Sequence, residues 1–301
     1  MTMNIDTFQI LCTILIIMSG IIGAFLPSML RKCDNADRAI SLANAFAGGV
    51  FITAGFMHML AEANENWEDL LPDVDFPICN LIVVLTFFLI LAIEHVFVPQ
   101  EKLEQCHVHS IESAALLGDK EEGEDHDHHH GGHEHHHEHH HSHGEPENTF
   151  ITVLVTLIAL SVHAFLTGIS LGLQSDMSDA AFMLIAIVAH KWCEVMGMAI
   201  VIMRTPGIKR WQTIGALSLI ILITPLGQAI GVIMLHYSSD TVAAWMTAIG
   251  DAMAGGTFTY VSIVEMIVPE FSNRSTSSVQ VWKLLLALLG VAIMSLVALV
   301  M

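Results

Sequence analysis

The chain has 301 residues, 53% of them hydrophobic and only 14% charged, which excludes an ordinary soluble domain and points to a membrane protein. Its formal net charge of −19 sits in acidic loops and excludes a nucleic-acid partner as the natural reading. Five scattered cysteines form no CxxC pair and no disulfide framework, so they read as reduced packing residues.

Eight apolar segments approach the roughly 20 residues a helix needs to cross hydrocarbon. They lie at 7–29, 39–61, 78–98, 150–173, 179–203, 212–236, 242–267 and 281–300. The expected fold is an all-α polytopic membrane protein with eight transmembrane helices. Ten of the eleven Lys and Arg residues fall in loops on one side, and the eleventh is Lys191, inside span five. Basic loops face the cytoplasm, so both termini are expected to be extracytoplasmic. Span one lacks a basic leader and is too long for a signal-peptide core, so it reads as a true span. Asn273-Arg274-Ser275 has glycosylation spacing but lies on the cytoplasmic side of this topology, and reads as chance.

In span two, His58 and Glu62 are four apart toward the outer end, leading into the acidic run ENWEDLLPDVD at 65–75; they read as an entrance. Span three ends inside with Glu94 and His95, an exit position. Residues 99–149 form a loop too poor in apolar residues to pack, so disorder is expected. Twelve of its eighteen residues from His126 to His143 are histidine: His126, His128, His129, His130, His133, His135, His136, His137, His139, His140, His141 and His143. Imidazole binds zinc, copper, nickel or ferrous iron near neutral pH, so the tract reads as a cytoplasmic metal buffer, with an inert linker as the alternative.

Span four carries His163 and Thr167 one helical turn apart, with Ser170 on an adjacent face. In span five, His190 and Glu194 repeat the same spacing, beside Lys191. At 1.5 Å per residue, His163 is roughly 20 Å and His190 roughly 16 Å from one end of their spans, both near mid-depth. Polar groups there need partners, and two helices presenting such pairs at matching depth can hold one Zn²⁺ or Fe²⁺. Thr167 is the weak member of the set, able to hold a metal-bound water or only to bond a carbonyl. In span six, Pro225 frees carbonyls that Gln228 is placed to satisfy, unless Gln228 neighbours the site instead. Gly168 with Gly172 and Gly227 with Gly231 are GxxxG pairs that permit close helix contact. Span seven carries Glu265 and Glu270 toward the inside, again as exit residues.

Residues 45–59, AFAGGVFITAGFMHM, match 252–266, AMAGGTFTYVSIVEM, at constant offset, aligning His58 with Glu265. Spans two and seven cross in opposite directions, so the similarity predicts an inverted repeat. Spans one to three (1–98) and six to eight (204–301) are its halves, and spans four and five (150–203) carry the metal site between them.

Taken together, the span order, the His-rich loop, HxxxxG in span four (His163 to Gly168), HKxxE in span five (His190 to Glu194) and GTFTYVSIVEMIVPE in span seven resemble the ZIP (Zrt/Irt-like protein) family of divalent metal transporters. The resemblance covers essentially the whole chain. It implies a 3+2+3 helix arrangement, a homodimer, and uptake of zinc, iron, manganese or cadmium into the cytosol by alternating access. His163, His190 and Glu194 match the family's primary metal site. Ala164 and Thr167 replace oxygen ligands found in many members, and Lys191 stands where two-metal members bind a second ion. A single-metal site is therefore expected, with Lys191 as a substitute cation. Zn²⁺ or Fe²⁺ is then cargo and not a cofactor, in a plasma membrane or, alternatively, an intracellular vesicle membrane. A non-enzyme is expected; the competing readings are a zinc-dependent multispan hydrolase, for which HExxH is lacking, and a cation-diffusion-type exporter, which typically has six spans.

Overall fold

The computed structural model describes residues 5–96, 147–237, 240–272 and 276–300, and the helices among them contain no strand. Helix α1 spans Ile5–Leu30, α2 Ala36–Leu70, α3 Ile78–Val96, α4 Glu147–Leu173, α5 Met177–Arg204, α6 Arg210–Tyr237 and α8 Ser277–Val300. Helix α7 runs from Asp240 to Ser272 in three pieces, Asp240–Tyr260, Val261–Ile267 and Val268–Ser272. Hydrocarbon offers backbone groups no hydrogen-bond partner, which is why an apolar chain of this kind folds entirely into helices. Seven of the described helices are long and apolar enough to cross a membrane; the apolar run of α3, Ile78–Glu94, is shorter. The His-rich tract lies outside the described residues.

The central helix is α5: 72% of its most apolar window is buried, against 17% for α8, whose Leu284, Leu285, Leu288 and Leu289 face outward as lipid-facing leucines should. Helix α5 starts at Asp176, whose extended backbone and side chain accepting from the Ser178 amide at 2.7 Å make it an N-cap. The Ser178 hydroxyl, followed by its amide, holds the Asp176 carboxyl below the usual carboxylate range. The helix stops at Thr205-Pro206-Gly207, where Gly207 takes φ 84°, a left-handed conformation that suits glycine.

Close backbone contacts sort the helices into two groups. A Cβ on Gly168 would lie 2.2 Å from the Thr224 carbonyl oxygen, and one on Gly227 2.2 Å from that of Phe165, so α4 and α6 meet backbone to backbone. The GxxxG expectation is thus realised. Gly23 brings α1 equally close to Trp192 of α5. In the second group, Gly49 of α2 meets Ala287 of α8, and Gly256 of α7 meets Val83 of α3. Glycines facing from one group to the other meet side chains instead: Gly197 faces the Met266 methyl and Gly250 faces Leu166. Gly20 of α1 against Ile221 of α6 joins the first two pairs and Gly48 of α2 against Met266 of α7 joins the other two, giving the groups α1, α4, α5, α6 and α2, α3, α7, α8.

Helices α2 and α7 each contain one π-helical stretch, Ala54–Met59 and Val261–Ile267. They begin at the offset that aligns 45–59 with 252–266. Their neighbours correspond as well: Gly48 faces the Met266 Cβ, and Gly255 faces the Met59 Cβ. Two sequence-based boundaries move. Helix α2 continues to Leu70, nine residues past its expected end at 61, so much of the ENWEDLLPDVD run is helix and not loop. Gln228 is not a partner for carbonyls freed by Pro225. Its amide donates to the Gln9 carbonyl and side chain at 2.8 and 2.6 Å, and it accepts from Thr13 at 2.9 Å, tying α6 to α1.

Candidate metal centre

Mid-depth polar groups on α4 and α5 meet as their spacing requires. His163, Thr167, His190, Lys191 and Glu194 are all buried, and the His163 and His190 ring centroids are 5.9 Å apart. The Thr167 hydroxyl lies 3.4 Å from the His163 ring nitrogens. A third imidazole joins them. His58, expected at an entrance, is 4% exposed with its ring 6.4 Å from that of His190. Two features bring it there. The π turn Ala54–Met59 inserts one residue and so rotates the following face by roughly 100°. The extension of α2 to Leu70 places residue 58 well inside the helix.

Three buried nitrogen or oxygen atoms of this cluster have no hydrogen-bond partner: His58 Nε2, His190 Nδ1 and Glu194 Oε1. Buried polar atoms are rarely left so, and imidazole with carboxylate is a zinc or ferrous donor set. Among the described residues, however, no three His, Cys, Asp or Glu side chains stand in metal-holding geometry. Two imidazoles on one tetrahedral zinc have centroids roughly 5 Å apart. The observed separations are about 1 Å wider, and Phe258 lies against two of the rings. Its ring lies tilted against His163 at 3.7 Å and meets His190 edge-on at 5.3 Å.

One turn toward the end bearing Arg204, Lys191 Nζ lies 3.0 Å from Glu194 Oε2 and donates at 2.9 Å to both the Ile220 carbonyl and the Thr224 hydroxyl. The lysine expected beside the carboxylate is thus held by α6. A buried ammonium with three acceptors, one of them charged, is tolerable where a bare one is not.

Toward the opposite end, the imidazole Nδ1 of His58 is 3.7 Å from Glu62. Beyond lies Asp251 of α7, fully buried, accepting from Ser170 at 3.1 Å and Asn66 at 3.3 Å. Sequence reasoning passed over Asp251, although a lone carboxylate in AIGDAMAGG is the same signal that singled out His163. Nothing in the sequence marks Phe258. At the Arg204 end, Glu94 of α3 and Glu265 of α7 lie close enough to interact. Glu270 is held apart from them by Arg204 and Lys283. The His95 side chain lies outside the described residues.

A lipid-spanning helix bundle has no structural use for three neighbouring buried imidazoles, whereas a borderline-soft divalent ion does; the class is a polytopic, metal-handling membrane protein. The family model described as ZIP Zinc transporter matches residues 6–298. The chain is 26% identical to "Zinc transporter ZIP1" of Mus musculus over 267 residues, covering 87% of this chain and 78% of the relative. It is 28% identical to "Zinc transporter ZIP2" of Mus musculus over 256 residues, 78% of each chain, and 24% identical to "Zinc transporter 11" of Arabidopsis thaliana over 306 residues, 98% of this chain and 85% of the relative. The chain belongs to the ZIP zinc transporter family.

Proposed function

We propose that this integral membrane protein transports Zn²⁺, with Fe²⁺, Mn²⁺ and Cd²⁺ as alternative cargo, into the cytosol by alternating access. The observation that carries the reading is the set of buried, partnerless donor atoms on His58, His190 and Glu194 around His163. A cation enters past Asp251 and Glu62, binds among His58, His163, His190 and Glu194 once Phe258 withdraws, and leaves past Glu94 and Glu265. Thr167 holds His163 and is positioned to keep a metal-bound water. Lys191 occupies the place of a second ion, so one metal binds at a time.

Eight spans with both termini extracytoplasmic fit α3 as a short eighth span and the basic residues of alternate loops. The inverted repeat has support in the two π turns at matching register and in the paired contacts Gly48–Met266 and Gly255–Met59. Movement of one helix group against the other fits the backbone-tight pairs α1–α5, α4–α6, α2–α8 and α3–α7, each of which lies inside one group. A homodimer in the plasma membrane, or in a vesicle membrane, completes the proposal. Membership of a transporter family argues against the hydrolase and exporter readings.

The test is radioactive zinc uptake into cells or proteoliposomes carrying the protein. His190→Ala is expected to abolish inward flux; lipid turnover without flux would sink the reading.

A further inference from the structure

The carboxylate of Glu270 is 3% exposed at the Arg204 end of α7, and every contact it makes is to a donor. Ser41 of α2 donates to Oε2 at 2.5 Å, and Asn44 of α2 donates to Oε1 at 3.0 Å. Lys283 of α8 donates to the Glu270 main-chain carbonyl at 2.7 Å, with its ammonium 3.4 Å from Oε2. Ser41, Asn44, Glu270 and Lys283 all belong to the group α2, α3, α7, α8. Among the described residues, the partner from the other group is Arg204, the last residue of α5, whose guanidinium donates to Oε1 at 2.6 Å.

The partners differ in what it costs to lose them. Lys283 is buried, with 3% of its side chain exposed, so parting it from Glu270 leaves two charges uncompensated inside the protein. Arg204 is 44% exposed, so its guanidinium can turn into water at little desolvation cost, leaving Glu270 with a cation and two neutral donors. The network is therefore permanent on one side and detachable on the other. Arg204 also sits at the end of the helix that carries His190 and Glu194. A displacement of α5 relative to α7 is transmitted directly to this contact. Two cations and two further donors leave Glu270 no free anionic charge for a divalent ion, which separates it from Glu94 and Glu265.

We propose that Arg204 and Glu270 form a detachable latch between the two helix groups, which must open on each transport cycle, and that Glu270 is not an exit ligand. This rests on the transport reading above and adds that the cycle breaks this particular contact.

The test replaces Ser41 and Arg204 with cysteine, leaving Glu270 and Lys283 in place, in the full chain with the exposed Cys33 and the loop Cys106 changed to serine. Both replaced side chains reach the same carboxylate, so a short bifunctional thiol reagent with a reducible link can join them. Cross-linked protein in proteoliposomes is expected to lose zinc uptake, and reduction of the link to restore it. Uptake at the unlinked rate after cross-linking overturns the latch while leaving transport intact; no uptake by the wild type overturns transport itself. Arg204→Ala supplies a second measurement independent of the cysteines. Its thermal midpoint in detergent is expected to stay near that of the wild type while flux changes by roughly two- to fivefold, the range of a half-exposed ion pair. Flux that merely follows the folded fraction overturns the latch.

Discussion

Replacing Lys191 with methionine keeps most of the side-chain volume and removes the charge. In the wild type the ammonium holds Glu194 Oε2 at 3.0 Å, while Oε1 is buried without a partner. Lys191→Met therefore leaves a fully buried carboxylate with no donor at all. Removing one member of a buried ion pair costs about 3 to 5 kcal/mol, against a surface pair's ~1 kcal/mol or less. The Ile220 carbonyl and the Thr224 hydroxyl also lose a donor, but the first retains its helical partner and the second can rotate, so Glu194 dominates. Neutralising the stranded group should then rescue: Lys191→Met with Glu194→Gln is expected to recover most of the loss.

Zinc supplies the second half of the test. An ion among the histidines returns positive charge to Glu194, so zinc should raise the thermal midpoint of Lys191→Met more than that of the wild type. The assay is thermal unfolding of the wild type, both single variants and the double variant in detergent, with and without zinc, treated as a double-mutant cycle. If Lys191→Met is as stable as the wild type and responds to zinc equally, the ammonium does not stand in for a cation. Zinc stoichiometry adds a separate check. With residues 126–143 deleted to remove the soluble histidines, one ion per chain is expected, and two bound ions would refute the substitute-cation argument.

His58→Ala should reduce maximal zinc uptake as severely as His163→Ala; a change in KM alone would return His58 to the entrance role. Phe258→Leu removes the ring lying against His163 and should lower the KM for zinc, with a stability loss of about 1 kcal/mol, measured by initial uptake rates and thermal unfolding. Gly168→Ala drives a methyl into the Thr224 carbonyl and should cost about 1 to 3 kcal/mol, while Gly215→Ala, with nothing within 4 Å, should leave the midpoint unchanged. Deleting residues 126–143 should leave the order of metal competition for uptake unaltered; a changed order would move discrimination from the membrane site to the loop.

What the sequence made legible, and what it hid, divides along one physical line. Helix identity, the HxxxT and HxxxE pairs and the contact of Lys191 with Glu194 all follow from a 3.6-residue period, because each relation lies within one helix or joins two pairs at equal depth. The GxxxG contacts were equally visible, since small residues four apart have few other uses in a bilayer. Position relative to a π turn was not visible. A π turn changes the winding without changing composition, so the sequence shows the position of His58 toward the outer end of its span, which suggests an entrance, but not its approach to His190. Its signature could be found only by comparison, because the two π turns start at corresponding positions of the 45–59 and 252–266 segments. Partners supplied from distant helices were hidden as well: nothing in VPE distinguishes a metal-binding Glu270 from one held by Arg204 and Lys283.

The same division locates the work of transport. Local spacing brings His163 of α4 and His190 of α5 together, and Phe258 of α7 lies against both rings. On the proposed reading, a cation held between the imidazoles displaces the Phe258 ring, by a turn of its side chain or by a small movement of α7 against α4 and α5. Helix α7 meets α4 and α5 through side chains, Leu166 against Gly250 and Met266 against Gly197. Arg204 lies fourteen residues along α5 from His190, roughly 20 Å at helical rise, and contacts α7 again at Glu270. If α5 shifts as the proposed site fills, its length carries the shift to Arg204, which is the contact the latch proposal requires to open.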